Sequence, residues 1–179
     1  MNTVTEQQNT VFETLKGEFG YSNRMQTPRI EKVVISTGTG KVQDKQKIQV
    51  IQDRIAKITG QKAAARGAKK SIASFKVRQG DIVGYQVTLR GARMRDFLNK
   101  LIHVALPRTR DFRGLPVKAI DQMGNYTIGI KEHTVFPETS DEELKDVFGL
   151  SVTLVTSAKT KKEAEALLRH IGLPLQEKK

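Results

Sequence analysis

The sequence lacks the residues and segments that several classes of protein require. Its 179 residues include no cysteine, which excludes disulfides, cysteine-ligated zinc and iron–sulfur clusters and fits a reducing compartment. The N-terminus has no basic stretch followed by an apolar one, so it does not predict a secretory signal. No run approaches the roughly 20 apolar residues of a membrane-spanning helix. We therefore expect a soluble, cytoplasmic protein that does not contact a membrane.

Candidate catalytic and metal-binding residues are equally scarce. His103, His133 and His170 are scattered, and no pair of them has the spacing of metal ligands. The sequence contains no nucleophile elbow and, without cysteine, no Cys/His pair. We therefore predict no catalytic residue, no metal site and no cofactor.

One segment leaves an enzyme hypothesis open. Residues 38–40, Gly-Thr-Gly, lie between a predicted strand and a predicted helix, which is the setting of a phosphate-binding loop. A dinucleotide fingerprint needs a third glycine where Gln43 stands, and a Walker loop needs Ser or Thr after its lysine, whereas Val42 follows Lys41. The favoured interpretation is a strand-to-helix turn. The alternative is a nucleotide-dependent enzyme that uses Gly38 to Lys41.

Positive charge is concentrated in one part of the chain, residues 62–118, called here the basic segment. It contains fourteen Lys or Arg and three Asp, a net charge of +11 in a chain whose total is +12. A basic segment between nearly neutral flanks predicts a directed contact with a polyanion, although a solvated charged surface is the alternative. Glycines and the aromatic residues Phe75, Tyr85 and Phe112 are interleaved with the cations. On strands and loops, this pattern favours structured RNA over the DNA major groove.

Hydrophobic periodicity predicts an α+β fold, with a mostly antiparallel sheet flanked by helices and a protruding basic hairpin. The predicted helices cover residues 4–19, 44–59, 93–105, 141–147 and the segment after the Thr160–Glu163 capping box. The predicted strands cover residues 30–35, 71–78, 82–90, 126–130 and 150–156, with residues 79–81 as a hairpin connection. We expect a single domain over residues 1–179, with an N-terminal helix in residues 1–24 and an α+β body in residues 25–179.

Several motifs resemble those of a known family. They read KKSIASFKVRQG (69–80), VTLRG (87–91), LPRTRDFRG (106–114), GNY (124–126) and FPE (136–138). In this order they resemble the bacterial 5S-rRNA-binding family of the large ribosomal subunit, the fifth in the large-subunit series, over residues 25–174. The resemblance implies a non-catalytic structural protein. It also implies binding to 5S rRNA and 23S rRNA in the central protuberance, beside neighbouring proteins.

The resemblance further implies three contact surfaces. The 5S rRNA surface comprises Ser36, Thr37, Gly38, Gln61, Lys62, Thr88 and Arg90. The loop that reaches toward the elbow of the P-site tRNA comprises Lys76, Val77, Arg78, Gln79, Gly80 and Asp81. The side that faces a small-subunit head protein across an intersubunit bridge comprises Arg108, Arg110, Asp111 and Arg113. At residues 36–40 the family commonly has Asn-Met-Gly-Val-Gly where this chain has Ser-Thr-Gly-Thr-Gly. A shorter hydroxyl with fewer donors therefore replaces an amide.

Overall fold

The chain mixes strands and helices in an α+β fold, which the computed structural model describes for residues 3–40, 42, 44–139 and 147–176. The helices are α1 (Val4–Phe19), α2 (Lys45–Thr59), α3 (Gly91–Lys100) and α4 (Lys161–His170). The strands are β1 (Ile30–Gly38), β2 (Ala64–Gly67), β3 (Ile82–Leu89), β4 (Tyr126–Ile130) and β5 (Leu150–Thr156). Within these residues the strands form one antiparallel sheet in the order β2-β3-β1-β5-β4, which confirms the predicted fold class.

The helix ends follow from local capping chemistry. The Thr3 side chain accepts the Glu6 amide at the start of α1, and Gly20 ends the helix with φ +67°. Asp44 caps α2 in a similar way, and Gly60 ends it with φ +66°. Glycine adopts the left-handed conformation at the C-terminus of a helix without the steric penalty of a Cβ atom. Both predicted helix ends are therefore confirmed. The capping box predicted before α4 is also present.

The chain folds into two compact units, the first made of Met1–Val33, Arg90–Ile128 and Thr153–Lys179. In this first unit α1 packs against α3 and α4. The Val4 amide at the start of α1 donates to Asn99 Oδ1 at 2.9 Å, and the Tyr21 hydroxyl donates to Glu163 at 3.1 Å. The buried residues of the three helices are Val4, Val11, Leu15, Met94, Phe97, Leu98, Ala164, Leu167 and Leu168.

The second unit comprises Val34–Leu89 and Gly129–Val152. Here α2 packs against β3 through a stripe of buried isoleucines, as the periodicity predicts. The Arg54 guanidinium is buried beside His133, with 3.2 Å between Nη1 and Nε2, and the His133 ring stacks on Phe148 at 4.3 Å. His133 is thus a buried structural residue. That residues 1–179 form a single domain stays a prediction.

The strand predicted over residues 71–78 is wrong. Ala73–Phe75 forms a 3₁₀ turn closed by an isolated bridge between Ile72 and Val77, and the strand that pairs with β3 is β2. The alternation of apolar residues there does not reflect burial, because Ile72 is 46% exposed and Phe75 is 73% exposed. The hairpin connection is therefore residues 68–81, called here the basic loop, rather than residues 79–81.

One predicted helix changes its hydrogen-bond pattern, and another falls mostly outside the described residues. The helix predicted over residues 93–105 is α3 followed by a π-helical turn, Leu101–Ala105, in which the Leu106 amide donates to the Leu101 carbonyl at 2.9 Å. The acidic helix predicted over residues 141–147 falls almost wholly on residues 141–146, which lie outside the described part of the chain.

Candidate nucleic-acid interface

The basic loop is anchored by the antiparallel pair of β2 and β3. Ala64 pairs with Gln86 and Arg66 pairs with Gly84, with a register irregularity after Arg66. At the root of the loop the Ala68 amide donates to the Asp81 carbonyl at 2.8 Å, closing the connection. The residues of the loop are exposed or half-exposed throughout. The loop therefore projects its cations into solvent from a hydrogen-bonded base.

The predicted tRNA-contacting residues 76–81 form a turn fixed by its own polar groups. The Asp81 carboxylate accepts the Arg78 amide at 2.7 Å, and the Asp81 amide donates to the Arg78 carbonyl at 3.1 Å. The Gln79 amide donates to Ser71 Oγ at 2.9 Å. Lys76 and Gly80 take positive φ angles, 52° and 94°. Asp81 therefore shapes the turn, while the side chain of Arg78 is exposed.

Residues 36–38 are predicted to contact 5S rRNA, but two of their side chains form hydrogen bonds within the protein. The Ser36 hydroxyl lies 2.8 Å from the Ser151 hydroxyl, and Thr37 Oγ1 donates to the Gly149 carbonyl at 2.8 Å. Thr37 is only 6% exposed. The main chain here is closely covered, because a Cβ atom at Gly84 would lie 2.6 Å from the Thr37 carbonyl oxygen. Gly38 is exposed and leaves its backbone accessible.

Thr88 lies on a polar face of β3. The alternating residues Val87 and Leu89 are buried, so Thr88 and Gln86 lie on the other face. Across from them, Arg66 Nε donates to Gln86 Oε1 at 2.7 Å. Within the described residues Thr88 makes no side-chain hydrogen bond. The sequence prediction omits Arg66 and Gln86, although alternation along residues 82–90 places Gln86 on the same face of β3 as Thr88.

The cations predicted for the 5S rRNA surface are exposed. Lys62 and Arg90 reach solvent, and in the part of the chain that the structure describes neither joins an ion pair. Gln61 is half-buried, and both of its main-chain polar groups bind the Thr59 hydroxyl. The Gln61 amide donates to it at 3.3 Å, and the Gln61 carbonyl accepts from it at 3.0 Å. These hydrogen bonds at the C-terminus of α2 therefore fix the main chain immediately before Lys62.

The loop predicted to face the small subunit lies in the first unit. Arg108, Arg110, Asp111 and Arg113 are exposed or half-exposed, and Asp111 has a φ of 53°. The C-terminal segment holds the end of this loop. Gln176 Nε2 donates to the Gly114 carbonyl at 3.2 Å, and the Leu115 amide donates to the Pro174 carbonyl at 2.8 Å. The loop therefore presents three arginines from a fixed base.

The geometry of residues 38–40 disfavours a phosphate loop. The Thr39 amide donates to the Val83 carbonyl at 2.9 Å, so it is not directed at a ligand. The carboxylate of Asp44 occupies the N-terminus of α2 and accepts the Gln46 amide at 2.9 Å. A carboxylate at this position repels the phosphate that a helix N-terminus would otherwise attract. Lys41 and Gln43 lie outside the described residues.

Two further features are absent from the described residues. No group of three or more His, Asp or Glu side chains in residues 3–40, 42, 44–139 and 147–176 could hold a metal ion. Over the same residues, no helix has the length and apolar character needed to cross a membrane.

Comparison with known proteins gives matches over nearly the whole chain. The model of the ribosomal protein L5 family matches residues 23–78, and the model of the C-terminus of the same family matches residues 82–175. The large ribosomal subunit protein uL5 of Trichlorobacter lovleyi is 51% identical over 94% of this chain and 95% of its own. The uL5 proteins of Geobacter sulfurreducens and Halothermothrix orenii are 48% and 47% identical. These matches cover 93% and 99% of this chain and 93% and 100% of those relatives.

Proposed function

The chain belongs to the ribosomal protein L5 family, and we propose that it binds 5S rRNA and 23S rRNA in the central protuberance of the large ribosomal subunit. As a member of this family it is a structural constituent of the large subunit rather than an enzyme. The observation that carries the proposal is the basic segment, whose cations lie mainly on exposed loops and turns, with Arg66 on β2 and Arg93, Arg95 and Lys100 on α3.

The 5S rRNA contact is assigned to the side chains whose polar groups are not used within the described residues. Thr88 offers such a hydroxyl on the polar face of β3, and Lys62 and Arg90 supply exposed charge. Gly38 permits close approach of an RNA backbone because its backbone is exposed and it has no side chain. Ser36 and Thr37 support this surface from within, since their hydroxyls already bind Ser151 and Gly149. We place Gln61 in the same surface as a neighbour of Lys62.

Within the basic loop, only the turn at residues 76–81 is assigned to the elbow of the P-site tRNA. This turn is stabilised by the Asp81 carboxylate, which leaves the cationic side chains of Lys76 and Arg78 accessible to solvent. Accessible cations on a fixed turn can reach the phosphates on the surface of a folded RNA, whereas they could not easily enter a deep groove of an RNA helix. The other members, Val77, Gln79 and Gly80, set the shape of the turn.

The loop of Arg108, Arg110, Asp111 and Arg113 is assigned to the intersubunit side. Its arginines suit contact with an acidic surface of a small-subunit head protein or with rRNA, because a guanidinium binds carboxylates and phosphates through two parallel hydrogen bonds. Neighbouring proteins of the central protuberance are further expected partners. The geometry of residues 38–40 disfavours the nucleotide-dependent enzyme, because the Thr39 amide is already bound to the Val83 carbonyl and the Asp44 carboxylate repels phosphate.

Sedimentation through a low-salt sucrose gradient tests the proposal. The tagged protein is expressed in a bacterium whose own copy is depleted, and the wild type should co-sediment with large ribosomal subunits. A charge reversal at two surface cations, Lys62→Glu with Arg90→Glu, should shift the protein to the top of the gradient. The control variant Lys161→Glu changes an exposed cation outside the basic segment and should co-sediment normally. Wild-type protein found only at the top of the gradient would contradict the proposal.

A further inference from the structure

An apolar groove runs between residues 38–40 and the basic loop, entirely within the second unit. Its volume is about 760 Å³, within the ~300–1,000 Å³ range of small-ligand pockets. Gly38 and Gly40 expose main chain along one wall, while Ile72 and Phe75 line the wall formed by the basic loop. A Cβ atom at Gly38 would meet no atom within 4 Å, so this wall is open.

Phe75 is unusually placed for a phenylalanine. It is 73% exposed and lines the groove together with Ile72, which is 46% exposed; neighbouring exposed apolar side chains of this kind mark an interaction surface. The backbone that carries the ring is held in position, because Ile72 and Val77 exchange main-chain hydrogen bonds at 2.9 and 3.3 Å and the Lys76 amide donates to the Ala73 carbonyl at 3.0 Å. Only the side-chain torsions of Phe75 therefore have to be ordered when a flat partner stacks on the ring.

The charges at the groove specify the kind of partner. Lys69 and Lys70 lie along its lining, and no carboxylate is among the described residues that line it. A flat apolar surface with cations at its edge matches a nucleobase linked to a phosphate. We propose that this groove takes one unpaired nucleobase of an RNA, stacked on Phe75, with the adjoining phosphate bound by Lys69 and Lys70. This inference rests on the proposed RNA-binding function and adds a specific contact to it.

A second copy of this chain is a poorer occupant. The chain carries a net charge of +12, and a second copy would bring the same cations to the same edge. Like charges brought together repel each other, whereas an RNA phosphate neutralises them. The comparison therefore favours RNA as the occupant.

A reporter variant tests stacking directly. The chain contains no tryptophan, so Phe75→Trp introduces a single indole whose fluorescence is quenched by a stacked base. We expect saturable quenching by a single-stranded RNA hexamer and little quenching by a hexamer of the same length without bases. Equal quenching by the abasic hexamer or by polyglutamate would overturn the proposal. Quenching that grows with protein concentration in the absence of RNA would also overturn it, since it would indicate a second copy in the groove.

A truncation separates this inference from the function on which it rests. Because Gly38, a residue of the proposed 5S rRNA surface, lines the groove, stacking of one base predicts that Phe75→Ala weakens 5S rRNA binding about 5- to 150-fold. Met123→Ala is the matched control, because Met123 is equally exposed at 73% and lies outside the groove, and its affinity should stay unchanged. If the wild type binds 5S rRNA and Phe75→Ala binds equally well, only the stacking contact is wrong. If the wild type fails to bind 5S rRNA, both proposals fail.

Discussion

Two threonines assigned by family resemblance to one RNA surface should respond differently when they lose their hydroxyl groups. Thr37 is buried, and its Oγ1 donates to the Gly149 carbonyl at 2.8 Å. Thr88 is half-buried, and among the described residues its side chain makes no hydrogen bond. Valine has nearly the shape of threonine without the hydroxyl. Thr37→Val should therefore weaken the fold, and Thr88→Val should weaken RNA binding.

The expected magnitudes follow from these contacts. Thr37→Val leaves a carbonyl without its partner, so the free energy of unfolding should fall by about 1–3 kcal/mol. In a protein of this size that corresponds to a decrease in Tm of about 2–12 °C. Thr88→Val would remove the proposed hydrogen bond to an RNA phosphate, which would contribute about 1.5–3 kcal/mol, so affinity should fall about 10- to 150-fold. Its Tm should change little, because within the described residues no hydrogen bond of the folded protein is lost.

The assay combines filter binding to 5S rRNA at fixed salt with thermal unfolding followed by circular dichroism. Binding is measured well below both Tm values, so that both variants are fully folded. Each variant serves as the control for the other, because both carry the same chemical change. The reasoning is refuted if Thr88→Val binds as the wild type does, or if Thr37→Val loses affinity while keeping the wild-type Tm.

Three further predictions follow from other parts of the structure. Arg78→Ala should leave 5S rRNA affinity unchanged within about twofold and should weaken protection of P-site tRNA in footprinting, whereas loss of 5S binding would show that the surfaces are wrongly divided. Gly84→Ala should lower the free energy of unfolding by about 1–3 kcal/mol in urea titrations, because the new Cβ would lie 2.6 Å from a backbone oxygen. Gly38→Ala meets no atom within 4 Å and should unfold at the same urea concentration as the wild type; equal destabilisation of the two variants would contradict this account. Burial, together with a hydrogen bond to Glu163 in the case of Tyr21, raises the pKa values of Tyr21 and Tyr126 from 10.0 to about 12. The folded state therefore favours the neutral phenols, and their contribution to stability should be complete below pH 10 and fall between pH 10 and 12. Urea midpoints that stay level across that window would contradict the prediction.

Elements with both a periodic core and a local end signal could be predicted from the sequence. The helix that ends at Gly20 and the helix between Asp44 and Gly60 carry both signals, and their bounds match to within a residue. β2 carries neither, because Ala64–Gly67 is wholly exposed at the sheet edge and is determined by pairing with β3. The alternation around Ile72 and Phe75 resembles a strand, yet those side chains are exposed on a loop.

In the candidate site, too, some features could be predicted from the sequence and others could not. Accessible cations such as Lys62 and Arg78 could be named from charge alone, because burying them without a partner is costly. The internal use of the Thr37 hydroxyl could not be predicted, since its partner, Gly149, is 112 residues away in the sequence. The groove beside Phe75 could not be predicted either, because it forms only where the basic loop meets residues 38–40.

The salt dependence of 5S rRNA binding tests the central claim most directly. If the basic segment contacts about four or more phosphates, binding releases their counterions, and affinity should fall at least about 100-fold between about 50 and 200 mM monovalent salt. At every salt concentration 5S rRNA should bind more tightly than a random RNA duplex of the same length. An affinity that is independent of salt, or equal for the two RNAs, would contradict the claim that this chain is a 5S rRNA-binding protein.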